Sequence, residues 1–305
     1  MDVKQLSMHV TDLCNEKCGF CVVGSPLAKS DSVEYGDLIR FLVENSGQDY
    51  ASVNLHGGEP TIHPRLFDLL RTIRLLEYPR VEIQTNARRL RDPEFTQRLA
   101  DHGVELFVVS LHGSTSVIQD CLTQTPGGFD ETIEGIRNAK RSGVAVRTNT
   151  VITRLNMGRL MDICKLCVDL GVDHVNISNL HPVGSGFFAL DMQAPTVAET
   201  RTHLLPVIEM MLASPARLTL EGFPLCVVTP HEELAIEDGT RSIRMMYQGS
   251  VVDDYDAFMD DEMRSYGPPC EGCPLRAQCG GVYNEYAERR GWEEFGLRRP
   301  SPIGG

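Results

Sequence analysis

Residues 6–21, LSMHVTDLCNEKCGFC, decide the architecture: a short β-rich run over 6–11 passes directly into a loop carrying Cys14, Cys18 and Cys21. Working outward, the same kind of run recurs at 52–57, 81–86, 104–111, 144–152 and 174–180. Amphipathic stretches at 64–76, 92–103, 130–143 and 157–171 lie between them, and Gly103, Gly143 and Gly171 stand where helices favour a glycine stop. Strands alternating with helices of this length read as βαβ units on a parallel sheet. Six such units occupy roughly 180 residues, short of the about 250 that a closed eightfold barrel takes. The expected fold is therefore α/β, an open, partial (β/α)6 TIM-like barrel over residues 1–190. The pattern then changes. A connecting helix is expected over 191–215, and a small irregular Cys-rich domain over 216–305, beginning with a short strand at 217–222.

The chain has 305 residues, 42% hydrophobic and 23% charged, which is ordinary for one large or two modest globular domains and excludes a disordered or fibrous chain. No window approaches ~18 consecutive apolar residues, and no basic-then-apolar export signal opens the sequence. With 42 acidic against 29 basic residues the net charge is −13, which argues against non-specific binding to nucleic acid or anionic membrane. Ten Cys are about 3% of the chain, well below the roughly 8–10% of a disulfide scaffold. The expected location is cytoplasmic, where Cys sets bind metal or do chemistry.

Three Cys at x3 and x2 spacing can converge on one metal centre from a single loop. An ordinary iron–sulfur cluster takes four thiolates, so three leave one iron open, where substrate can bind. A zinc loop completed by a distant His or Cys is the alternative. Gly57-Gly58-Glu59-Pro60 follows the second strand: two glycines allow close backbone approach to a ligand, and Glu59 offers a carboxylate suited to an ammonium group.

Together these motifs resemble the radical S-adenosylmethionine (SAM) superfamily, over about residues 6–185. The resemblance implies that Cys14, Cys18 and Cys21 hold a [4Fe–4S] cluster whose open iron is chelated by SAM. One electron then cleaves SAM to methionine and a 5′-deoxyadenosyl radical, which takes a hydrogen atom from substrate. It further implies Phe20 beside the adenine, Gly57, Gly58, Glu59 and Pro60 around the methionine end, and Ser110 in contact with SAM. Thr85 and Asn86 are implied near SAM or substrate, and Asn149 likewise. Most of these positions fall at C-terminal ends of strands, where βα barrels keep their functional residues. His56, His112 and His181 are read as loop or supporting hydrogen-bonding groups.

A second set, Cys270-x2-Cys273-x5-Cys279 with Cys226 upstream, supplies four thiols outside the barrel. Structural zinc and a disulfide pair are the alternatives. The arrangement resembles the single-cluster form of the SPASM-type extension called twitch, which implies an auxiliary [4Fe–4S] cluster. Cys164 and Cys167, at i and i+3 on one helix, read as packing. Cys121, just after the fourth strand, is a candidate hydrogen donor to a substrate radical, with a half-buried loop Cys as the plain alternative. The acidic run at 253–262 reads as a solvated face, with a bias towards a cationic substrate as the alternative. The expected function is hydrogen abstraction from a natural-product-type small molecule, such as a sugar or aminocyclitol, giving oxidation or epimerisation. Maturation of a ribosomally made peptide and a non-catalytic iron–sulfur or zinc protein are the alternatives. The expected partners are that substrate and a reductase or flavodoxin-type electron donor, with no nucleic acid and no membrane.

Overall fold

The computed structural model describes residues 3–235 and 241–296. Six parallel strands, β1 (Val3–His9), β2 (Tyr50–His56), β3 (Val81–Thr85), β4 (Val104–Ser110), β5 (Ala145–Val151) and β6 (His174–Ser178), lie side by side in chain order. Helices α1 (Tyr35–Asn45), α2 (Leu66–Leu75), α3 (Pro93–Asp101), α4 (Ser116–Thr123), α5 (Gly128–Arg141) and α6 (Leu160–Asp169) connect them. α2 shows why the helices dock: Leu66, Leu69, Leu70 and Ile73, at i, i+3, i+4 and i+7, are its buried stripe. They meet Leu6 and Met8 of β1 and Val53 and Leu55 of β2, all fully buried in the same core. α4 is a helix beyond the expected alternation, inserted between β4 and α5.

The other face of the strands is polar. Gln5, Ser7 and His9, then Ser52, Asn54 and His56, and further round Arg147 and Asn149, alternate with the core residues along their strands. A closed barrel fills its interior with layers of Val, Ile and Leu. This sheet stays open and lines its concave side with amides, hydroxyls and imidazoles.

Past residue 180 come α7 (Ser185–Gln193), α8 (Val197–Leu212) and β7 (Arg217–Glu221), then α9 (Leu225–Val228) and a hairpin of β8 (Arg241–Tyr247) and β9 (Ser250–Val252). The sheet order is β7-β6-β5-β4-β3-β2-β1-β8-β9. β7 pairs parallel with β6, and β8 pairs parallel with β1. The strand expected to open the Cys-rich region thus extends the barrel instead. The cause is apolar burial: Leu218 and Leu220 join Val207 and Ile208 of α8 in the main core. α10 (Tyr255–Glu262), the short pair β10 (Arg264–Ser265) and β11 (Val282–Tyr283), and α11 (Asn284–Arg290) complete the described chain. A second apolar cluster, with Phe20, Leu122, Leu180 and Leu190 from the barrel side and Met259, Val282, Tyr283 and Tyr286 from the C-terminal side, joins the two regions. Among the described residues no helix is long and apolar enough to cross a membrane.

Candidate active site

The three-Cys loop leaves the end of β1 and is pinned by backbone bonds on every side. Gly58 N donates to Thr11 O (2.7 Å) and Glu59 N to Leu13 O (2.8 Å), so the β1–β2 ladder continues past both strands. Lys17 N bonds Thr123 O (2.9 Å) on α4, and Ser185 N bonds Cys21 O (2.8 Å) from α7. Gly57 takes a φ of +135°, and a Cβ there would stand 2.5 Å from Thr11 O; at Gly58 it would stand 2.1 Å from Leu13 O. The expectation was close approach to a ligand. What the glycines admit is the backbone of the Cys loop itself, which fixes the loop against the Glu59 turn.

Cys14, Cys18 and Cys21 are free, partly buried thiols. Burial pushes the Cys14 thiol up to about 12, and burial with the nearby Glu16 carboxylate pushes Cys18 well up, so bare thiolates are disfavoured there. A metal centre reverses that balance by binding the thiolate form. The loop also aims donors at sulfur: Glu16 N lies 3.4 Å and Asn86 Nδ2 3.9 Å from Cys14 Sγ. Hydrogen bonds to sulfur are what iron–sulfur sites use, and the donor set fits such a group.

Glu59 is 1% exposed. Its Oε1 accepts from Thr61 N (3.0 Å), Thr61 Oγ1 (2.6 Å) and Thr85 Oγ1 (2.7 Å), and its Oε2 from Asn86 N (2.7 Å). Burial raises its pKa, and these bonds oppose the rise. Thr85 and Asn86 therefore act through Glu59: they hold the carboxylate, while the Asn86 amide also bonds Asn15 Oδ1 (2.6 Å) in the Cys loop. Arg88, which the sequence reading passed over, donates to Asn15 O and pairs with Glu131. Nothing local in its sequence context marks it; the contact spans 73 residues.

Sheet register sets Ser110, Asn149, Asn176 and Thr219 side by side across β4–β7. Asn176 Nδ2 donates to Asn149 Oδ1 (2.8 Å) and Glu221 Oε2 (2.8 Å), Thr219 Oγ1 donates to Asn176 Oδ1 (2.6 Å), and Ser178 Oγ donates to Asn149 Oδ1. Arg147 pairs with Glu221 at 3.4 Å. Asn176, Ser178, Thr219 and Glu221 were not singled out from sequence. Their signal was a polar residue at every second position of strands that parallel sheets normally make apolar throughout. Phe20 is buried and meets His112 edge-on at 4.9 Å. Cys121 is solvent-exposed on α4 and is not among the residues the fold brings together. Cys164 and Cys167 are buried in the main core, as packing requires.

Cys226, Cys270, Cys273 and Cys279 line a single cavity, with Tyr266 and Leu275 among its walls. Leu225 N and Gly281 N each lie 3.4 Å from Cys279 Sγ. Arg201 ties down the turn that carries Cys226 by donating to the Cys226 and Val227 carbonyls (2.9 and 2.8 Å). Among the described residues, no three His, Cys, Asp or Glu side chains converge on a single-ion site. Four thiols around one cavity can hold either an iron–sulfur cluster or a zinc ion.

His181, after β6, stacks on Tyr283 of β11 (4.4 Å, 16° between planes) and joins barrel to C-terminal region. Burial pulls the pKa of His181, and of His112, down to about 4 from 6.5. Above 6.5 neither state binds the proton, and the stabilising effect of keeping these rings neutral is fully present. Between 6.5 and about 4 the unfolded chain takes up protons that the folded chain refuses, so stability falls with pH. The melting temperature is expected to be flat above pH 7 and to drop below 6.5. His181→Phe, which keeps the stack, should recover on the order of 2 kcal/mol of the acid loss. An unchanged slope of melting temperature against pH in that variant contradicts the assignment.

A family profile described as "Radical SAM superfamily" matches residues 8–167. A protein of Saccharolobus islandicus named "Probable GTP 3',8-cyclase" is 31% identical over 256 residues, 82% of each chain. In fold, the chain resembles Streptococcus suis SuiB bound to the precursor peptide SuiA (TM-score 0.69, 18% identity, 97% of this chain and 75% of that one). It also resembles a radical SAM methyltransferase of Sphaerobacter thermophilus (TM-score 0.53, 19% identity, 70% and 64%).

Proposed function

The chain belongs to the radical SAM superfamily, and from that premise we propose that it abstracts hydrogen from a small, polyhydroxylated or amino-bearing substrate held in the barrel lumen. When bound, the two iron–sulfur groups and SAM supply one-electron SAM cleavage and electron transfer. In this reading Cys14, Cys18 and Cys21 hold the first group, and Cys226, Cys270, Cys273 and Cys279 hold the auxiliary one. Residues 216–305 form the auxiliary unit, with its first strands bonded to the barrel sheet. Glu59, fixed by Thr61, Thr85 and Asn86, takes the ammonium end of SAM, with Gly57, Gly58 and Pro60 shaping that turn. Phe20 packs beside the adenine, and Ser110 and Asn149 border SAM where it meets the substrate.

The observation that carries the substrate class is the row Ser110–Asn149–Asn176–Thr219 with Ser178 and Glu221. Amides and hydroxyls match alcohols and amines one bond at a time. A nucleoside triphosphate is the second reading, favoured by the relatives' printed name. A triphosphate calls for clustered cations, whereas Arg147 in this row is already paired with Glu221. Exposed Cys121 has no place in this substrate row. A flavodoxin-type reductant completes the proposal as electron donor.

The test is anaerobic reconstitution, then dithionite and SAM with 2-deoxystreptamine, myo-inositol, GTP or a panel of peptides. The amino-polyol is expected to stimulate 5′-deoxyadenosine formation and to be consumed. Asn176→Leu should cut that consumption by roughly two orders of magnitude while sparing unstimulated SAM cleavage. Consumption of GTP, or of a peptide, with the polyols inert sinks the small-substrate reading.

A further inference from the structure

We propose that the inner face of β1 and β2, where His9, Asn54 and His56 present three buried polar atoms without partners, is the wall that orients the substrate by accepting hydrogen bonds from its hydroxyl or amine groups. This rests on the small-polar-substrate reading above. His9 is 0% and Asn54 6% exposed. His9 Nδ1, Asn54 Oδ1 and His56 Nε2 make no hydrogen bond within the protein. More than nine in ten buried polar groups are partnered, and an orphan costs about 1–3 kcal/mol. Three in one patch are a concentration that packing alone does not explain.

The patch is contiguous. His9 and His56 are register partners across β1 and β2, and Asn54 stands opposite Ser7, one step deeper on the same face. Deeper still, the polar side chains satisfy one another: Gln5 Nε2 donates to Ser52 Oγ and Glu82 Oε2, both at 3.0 Å. In β1 and β2 the atoms without partners lie towards the C-terminal ends of the strands, where barrels bind ligands.

The chemistry of the patch is that of an acceptor. Asp12 is bonded by Ser32 N (2.8 Å), by Ser32 Oγ and by Gln248 Nε2 (3.0 Å). Asp12 Oδ1, 2.8 Å from His9 Nε2, accepts the ring N–H there, which assigns Nδ1 as a bare lone pair. Tyr247 packs across the ring edge-on at 4.9 Å and prevents it from swinging out. Asn54 Oδ1 is a second acceptor. His56 stays neutral: burial and the neighbouring His9 both pull its pKa down. Fixed acceptors at His9 Nδ1 and Asn54 Oδ1 favour a ligand that brings donors, an alcohol or amine.

The test uses the reconstituted, SAM-loaded protein with Asn54→Leu and His56→Phe, each close in shape to the residue it replaces. Three quantities are read: melting temperature without added ligand, affinity for SAM, and affinity for 2-deoxystreptamine by calorimetry. The expected result is a melting temperature equal to or above wild type, because an unpartnered polar atom has been removed. SAM affinity should stay within about twofold and 2-deoxystreptamine binding should weaken about tenfold or more. A melting temperature lowered by about 5 °C in both variants shows the atoms to be satisfied by resident water and overturns the proposal. So does a parallel loss of SAM affinity, or probe binding that neither variant alters. Wild type failing to bind 2-deoxystreptamine overturns the small-substrate reading itself, an outcome distinct from the variants failing to differ.

Discussion

Gly58→Ala is expected to abolish SAM cleavage and to empty the first cluster site while the barrel stays folded. A Cβ on residue 58 would stand 2.1 Å from Leu13 O, 2.5 Å from Leu13 C and 2.8 Å from Asp12 O. All three are main-chain atoms, so no side chain can swing aside. Either the turn or the Cys loop must move, and the bond from Glu59 N to Leu13 O breaks with it. The cost is at least the ~1–3 kcal/mol typical of overpacking, and it falls on the segment that presents Cys14 one residue later. Gly36→Ala is the control: nothing lies within 4 Å of its Cβ, its φ is not left-handed, and it sits in α1. Iron after reconstitution should fall from about eight to about four per chain in Gly58→Ala and stay at about eight in Gly36→Ala. The circular dichroism of both should match wild type. Full iron and normal 5′-deoxyadenosine yield in Gly58→Ala would refute the claim that these glycines exist to seat the Cys loop.

Cys226→Ser should produce the complementary loss, with the auxiliary site stripped and the first site intact. Cys226 is the member of its set farthest away in sequence, yet it shares one cavity with Cys270, Cys273 and Cys279. Without it a four-thiolate site drops to three and the remaining irons become labile. Iron should fall by about four per chain, and SAM cleavage without substrate should persist because Cys14, Cys18 and Cys21 stand in a separate loop. Substrate turnover should fall by orders of magnitude. Wild-type protein carrying about four irons and one zinc, with the zinc lost in Cys226→Ser, would replace the auxiliary cluster by a structural metal.

The parts of this molecule legible in sequence are those whose signal is short and local. C-x3-C-x2-C, the Gly-Gly-Glu-Pro turn and the βα alternation each complete their pattern within one or two elements. The pairing of β8 with β1 was invisible because Met8↔Met246 joins positions about as far apart as the fold allows, and RSIRMMY has no clean alternation. β7 was recognised as a strand but assigned outward, since nothing in RLTLEG says which neighbour it bonds. The sequence marks the turn's glycines for close approach; that the Thr11–Leu13 backbone comes up against them is a tertiary fact. That Thr85 and Asn86 also hold Glu59 is a relation only the β2–β3 geometry reveals. The polar lumen was legible and missed: Asn176-x-Ser178 and Thr219-x-Glu221 break the apolar run expected of a parallel strand, and that breakage was the clue.

The seating of β1 between β2 and β8 has a consequence for how the chain is assembled during synthesis. β1 leaves the ribosome long before its partner β8, so one of its edges stays bare until Arg241–Tyr247 emerges. For that whole interval the row of free amides and carbonyls beside Leu6 and Met8 is a template for any extended segment in the vicinity. Closure of so long a loop is slow, and the nascent barrel spends that time as an adhesive intermediate. Truncations that end before Tyr247 are therefore expected to go into inclusion bodies even though they retain every ligand of the first cluster.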